Sequence, residues 1–156
     1  MSELMTESCV VSDSTCLIGL ERIDRLDILP QLYNSFYIPS AVKKEIGFVK
    51  PWMKVRKVRN LSLVSSLRSS IDWVESEAIT LTLELDNAVI VLDDKRARQI
   101  AARFDLTITG TMGVLLKAKR QDVIASVRPI LDSLESVEFR IAPFLRHRTL
   151  ELANEL

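Results

Sequence analysis

The chain has 156 residues, 47% of them hydrophobic, which is enough for one domain with its own core and too little for two. Its 21 basic residues balance 21 acidic ones, so net charge argues for neither a nucleic-acid nor a membrane partner. No apolar run reaches the roughly 20 residues that span a bilayer, and the opening MSELMTES is acidic where a secretory signal would be basic, so a cytoplasmic location without a membrane partner is expected.

In chain order, CVVS (9–12) reads as a strand, and STCLIGLERIDRLDILPQL behind it as one or two helices that break near Pro30. SFYI (35–38) is the next strand, and Pro39 and Ser40 open the helix PSAVKKEI. Residues 48–60 are the least regular, with a short strand expected around VRKVRN and then a helix over 61–69. The beat then settles into helix 75–86, strand 88–92, helix 94–104, strand 106–109 and helix 111–120. A tail follows: a helix over about 128–136, an edge strand EFRI (138–141) and a last helix from about 143. Parallel neighbours need a crossover, and a helix usually supplies it. The expected fold is therefore α/β, with three α/β/α layers around a central, mainly parallel sheet, in a single domain over 1–156. Cys9 and Cys16 fall on different elements and read as two small buried thiols in a reducing compartment.

Open parallel sheets place their sites beyond the carboxyl ends of the strands. Two of the expected strands end there in acid: CVVS runs into Asp13, and VIVL into Asp93 and Asp94. Each aspartate alone is accounted for as a helix cap worth about 1 kcal/mol, but two on one sheet edge point to a shared site. On helix 75–86, Glu75 falls within the apolar arc of Ala78, Ile79 and Leu81, whereas Glu77 falls opposite, beside Thr80 and Glu84. Glu45 lies at the border of the buried stripe of its helix, where a plain surface charge explains it as well. Carboxylates brought together repel by up to about 4 kcal/mol per pair at 4 Å and a dielectric near 20, so such a cluster must protonate or bind cations. Oxygen-only ligation suits Mg²⁺ or Mn²⁺, and a metal so held supports attack on a phosphodiester.

The ordered set VVSDSTCLIGL, IPSAVKKEI and VESEAITLTLELDNAVIVLDDKRARQIAARFDLTITGTMGVLLKAKR resembles a PIN domain, over roughly residues 9–131 with 132–156 as a helical tail. Within that family it is closer to an uncharacterised branch related to the VapC-type toxins of prokaryotic toxin–antitoxin pairs. The resemblance implies a Mg²⁺- or Mn²⁺-dependent endoribonuclease. Its principal metal ligands would be Asp13 and Asp93, with Glu45 and Glu75 completing the catalytic pocket and Thr15 supporting the first aspartate. It also implies an RNA substrate, a small cognate antitoxin and pairing into a homodimer. The chain departs from the pattern at Val74, where a glycine often precedes the third acid, and at Lys95, where an acid often stands. Asp94 is a substitute ligand for the latter.

The basic stretch KPWMKVRKVR (50–59) offers Lys54, Arg56 and Lys57 to RNA phosphates, with Trp52 to stack on a base, and a solvated loop accounts for it equally. Arg96, Arg98 and Arg103 read as a solvated helix face. The rival from another class is a PIN-like module without activity, binding only RNA or its antitoxin. A haloacid-type phosphatase would need an aspartate where Thr15 stands, and a response-regulator receiver would need its acidic pair at the first strand.

Overall fold

The computed structural model describes residues 9–156; the acidic stretch 1–8 lies outside them. Five strands form one sheet in the order β3-β2-β1-β4-β5, every pair parallel. They are β1 (Cys9–Ser12), β2 (Ser35–Pro39), β3 (Met53–Arg56), β4 (Val89–Val91) and β5 (Thr107–Thr109). Nine helices surround the sheet among the described residues: α1 (Ser14–Arg22), α2 (Ile28–Leu32), α3 (Ser40–Ile46), α4 (Leu61–Leu67), α5 (Trp73–Glu84), α6 (Lys95–Arg103), α7 (Thr111–Arg120), α8 (Arg128–Ser136) and α9 (Pro143–Leu152).

Alternation along the strands divides the core in two. Val10, Phe36, Ile38 and Val91 face a cluster built with α1, α2, α7 and α8, while Val11, Ile90 and Leu92 face one built with α4, α5 and α6. These are the three layers expected of a parallel sheet covered on both faces.

The order of strands matters more than their number. The chain steps outward from β1 to β2 and β3, then crosses back to lay β4 on the other side of β1. The gap between the carboxyl ends of β1 and β4 is thus the switch point, where neighbouring connections leave in opposite directions. Ser12 pairs with Val91, and the ladder continues one step as the Asp13 N–H donates to the Val91 carbonyl at 3.1 Å. Asp13 and Asp93 therefore emerge side by side.

Several expected boundaries shift. Two helices precede β2, but the break falls at 23–27, where Asp24 is left-handed with φ 58°, and Pro30 sits inside the first turn of α2. A first-turn N–H has no helical partner, so proline costs little there. EFRI is not a strand: Glu138 is left-handed at φ 66°, and Phe139 and Ile141 pack on the first core cluster without pairing to the sheet. The Phe139 ring lies on Gly19 of α1, where a β-carbon would come within 2.6 Å of it.

Helix α5 departs from its expected polar face. Residues 76–82 are all buried, because α5 lies between the sheet on one side and α3 and α4 on the other. Its buried hydroxyls bond back into the helix, Thr80 to the Ser76 carbonyl at 2.8 Å and Thr82 to that of Ala78 at 2.7 Å. Glu77, expected on the solvent side, is 7% exposed. Its Oε1 accepts the Ala41 N–H at 3.0 Å, at the N-terminus of α3, and its Oε2 accepts the Trp73 indole N–H at 3.1 Å. Glu77→Ala would strand both donors, so a loss of about 1–3 kcal/mol in unfolding free energy is expected from urea titration.

Candidate active site

Helices that follow parallel strands begin at the carboxyl edge of the sheet, so first-turn and capping residues collect there. Asp13 is the N-cap of α1, Asp72 of α5 and Asp94 of α6. Helix α5 leads into β4 and runs against it, so its first turn delivers Glu75 to the same edge.

Asp13 is only 6% exposed. Burial pushes its carboxyl up to about 7, opposed by a hydrogen bond from the Ser14 backbone and reinforced by the charges of Asp72, Glu45 and Asp93. Half-buried Glu75 is likewise raised to about 7, by burial first and then by Asp72, Asp13 and Asp94. The charges of Glu45, Asp93 and Asp94 thus bear on Asp13 or Glu75 at one edge of the sheet, and Asp72, absent from the sequence-based site, bears on both. Glu45 stands exposed on the rim, from α3.

Three of these carboxylates are turned toward helix N-termini. Asp72 Oδ1 accepts the Glu75 N–H at 2.7 Å, and Asp94 Oδ2 accepts the Ala97 N–H at 2.9 Å. Asp93 is held by Thr111 at the start of α7, its Oδ1 by the backbone N–H at 2.8 Å and its Oδ2 by the hydroxyl at 2.6 Å. Thr111 is the second residue that sequence reasoning missed, and its position directly after a strand-ending Thr-Gly was the available signal. A β-carbon on Gly110 would stand 2.6 Å from Asp93 Oδ1 and 2.9 Å from Arg98 Nη1, so only glycine admits both side chains. Arg98 is not on a merely solvated face: it is half-buried, and its Nη1 donates to the Leu92 carbonyl at 2.7 Å.

Other expected residues stand apart. Thr15 is exposed and lines a small cavity with Gly19, Arg22 and Phe139, on the α1 side. Lys54 and Arg56 lie over the Tyr37 ring, at 5.4 and 4.9 Å from its centroid, on the edge strand β3. Their charges act on Cys9, whereas every charge acting on Asp13 is a carboxylate. Lys57 is exposed beyond the end of β3, and Trp52 packs edge-on against Phe36 instead of facing solvent as a stacking platform. Both thiols are free; Cys9 is half-buried rather than buried, and Cys16 is enclosed, with burial pushing its thiol up to about 12.

With this carboxylate edge in view, comparison with known families is informative. A family model described as PIN domain matches residues 9–155. The chain belongs to the PIN-domain family. The match runs past residue 131, so α8 and α9 lie inside it. PIN domains are generally nucleases; they typically use divalent metal ions and bind nucleic acid. No curated protein matches this PIN domain significantly. Among the described residues no helix is long and apolar enough to cross a membrane.

The residues present fit a divalent cation. The donor set is oxygen only, which suits a hard ion. Beside Asp13, the buried Ser14 hydroxyl has no hydrogen-bond partner among the described residues, a group that a hydrated ion would satisfy. No three acidic, histidine or cysteine side chains among the described residues are grouped closely enough to hold an ion as they stand.

The raised carboxyls fix a pH dependence. A group that holds its proton more tightly when folded contributes stability that is complete below its unfolded value, near 4, and is lost as pH rises through its folded value, here about 7. In chelator the melting temperature should therefore fall between about pH 5 and pH 8, and fall less in Asp13→Asn. Added Mg²⁺ or Mn²⁺ should raise it more at the higher pH, because bound cation replaces the lost protons. Scanning calorimetry across pH, with and without the ion, checks this, and a flat profile in chelator would refute the electrostatic account.

Proposed function

We propose that this PIN domain is a Mg²⁺- or Mn²⁺-dependent endoribonuclease and the toxin of a prokaryotic toxin–antitoxin pair, cytoplasmic, silenced by a small cognate antitoxin and paired as a homodimer. One observation carries the catalytic part. Asp13 and Asp93 flank the switch point of the sheet, with Glu75 beside them, and no basic side chain is among the charges acting on Asp13 or Glu75. The nuclease character of the family and the resemblance to VapC-type toxins support the rest.

In this reading Asp13 and Asp93 hold the ion, and Glu45 and Glu75 complete the pocket, with Asp94 a secondary ligand. The ion would stabilise the charge that develops on the phosphate and on the leaving oxygen. The protein does the remainder. Thr111 holds both oxygens of Asp93, so that carboxylate would share or exchange those hydrogen bonds to take the ion. Asp13 and Glu75 give up their protons on binding, which makes ion affinity rise with pH. Water would attack phosphorus as a carboxylate takes one of its protons, the bond to the leaving oxygen would break, and that oxygen would leave as a hydroxyl with a proton from solvent.

The capping of Asp72, Asp93 and Asp94 favours the alternative, a PIN module that binds without cleaving. Variants separate the two. Asp13→Asn should leave the fold intact and cut ion-dependent cleavage of single-stranded RNA by about a hundredfold or more. Glu75→Gln should act in the same direction, while Glu77→Gln should act chiefly on stability. Cleavage time courses across a Mg²⁺ and a Mn²⁺ series decide this, and an Asp13→Asn protein as active as the parent would end the catalytic assignment.

A further inference from the structure

Outside the carboxylate group, a groove of about 810 Å³ runs between β5, α6, α7 and α9. Asp93 is among its lining residues, so the groove shares that side chain with the candidate active site. Its charged lining is otherwise cationic: Lys95 and Arg98 from α6, and Arg148 from α9. Its apolar wall includes Met112, Leu145 and Leu152. Leu145 and Leu152 are 43% and 53% exposed, so α9 turns large apolar side chains toward the groove rather than into the core.

This combination has a chemical meaning. Beside a group of carboxylates, a polyanionic strand is repelled unless cations line its path. Three cations against one aspartate supply that complement, and the aliphatic wall gives base faces an apolar surface. Arg148 pairs with Glu151 at 2.9 Å, but both side chains are half exposed, so the pair is worth little and can be exchanged for a phosphate. Arg98 is fixed beside Asp93 by its bond to the Leu92 carbonyl, which sets a guanidinium where the groove meets the site.

We propose that this groove seats the single-stranded RNA that continues from the scissile phosphate, with Lys95, Arg98 and Arg148 on its phosphates and Leu145 and Leu152 against a base. The inference rests on the nuclease reading above, and it sets the substrate path on the β5 side of the sheet, away from Lys54 and Arg56 on β3 and Lys57 beyond its end.

The test measures binding of a short fluorescent single-stranded oligoribonucleotide to the full chain in chelator, so that no cleavage intervenes. Lys95→Ala/Arg148→Ala changes two exposed side chains; it should weaken binding by about tenfold and reduce the slope of log affinity against log salt by about 1.4, at about 0.7 per phosphate contact. Leu145→Ser/Leu152→Ser should weaken binding with the salt slope unchanged. Thermal melts of each variant confirm that the fold persists. Parental affinity and slope in both double variants would overturn the proposal and leave the groove, beside the open edge of β5, as a seat for an apolar peptide. It would equally be overturned if only Lys54→Ala/Arg56→Ala/Lys57→Ala lost affinity and slope. Ion-dependent RNA cleavage by the parent protein decides the nuclease reading separately, so either can fail while the other stands.

Discussion

The pairing of β1 with β4 is the contact on which the rest of the molecule depends. It joins the two halves of the sheet at the one place where the chain changes direction, and its last rung is the Asp13 N–H on the Val91 carbonyl. Register here is functional as well as structural. Since strand side chains alternate in direction, a slip of one residue would turn the buried Ile90 and Val91 to the wrong layers and carry Asp93 away from Asp13. Packing of both core clusters therefore also sets the spacing of the acids, and hydrophobic burial indirectly holds like charges together.

That concentration of negative charge is opposed locally by the helices. Those beginning at this edge point the positive ends of their dipoles toward it, and Asp72, Asp93 and Asp94 each take a backbone N–H from a first turn. Asp13 and Glu75 are the two carboxyls of this edge whose protons burial holds most tightly. The edge thus contains carboxylates satisfied by the protein alone and carboxylates left under electrostatic tension, and the second kind is where a cation gains most.

Much of this was legible in the sequence because the signals were local and repeated. Runs such as VVS and VIVL, each followed by an amphipathic helix, specify a parallel sheet, and the position of acid at a strand end follows from chain order alone. Glu77 was misread because periodicity assumes one buried face, whereas α5 is covered by the sheet and by α3 and α4 together. EFRI was misread because a short apolar-polar alternation cannot distinguish a strand from a strap pinned by Phe139 and Ile141. Asp72 and Thr111 escaped notice because their importance lies in what they face across the sheet edge, and pairwise placement of that kind appears only when the layers are assembled.

Gly110 illustrates a tension between engineering for stability and keeping the site. Its backbone, at φ −124° and ψ −175°, is one any residue adopts, so a survey of dihedral angles would mark it for replacement by alanine and a gain of about 0.4–1 kcal/mol from a stiffer unfolded chain. Gly47, at φ 81°, would be passed over by the same survey, although nothing lies within 4 Å of where its β-carbon would be. Judged by space rather than by angle the ranking reverses, since Gly110 is where a carboxylate and a guanidinium both approach the backbone. For this fold, a thermostabilising design that scores only the chain would remove the residue whose missing side chain leaves room for Asp93 and Arg98.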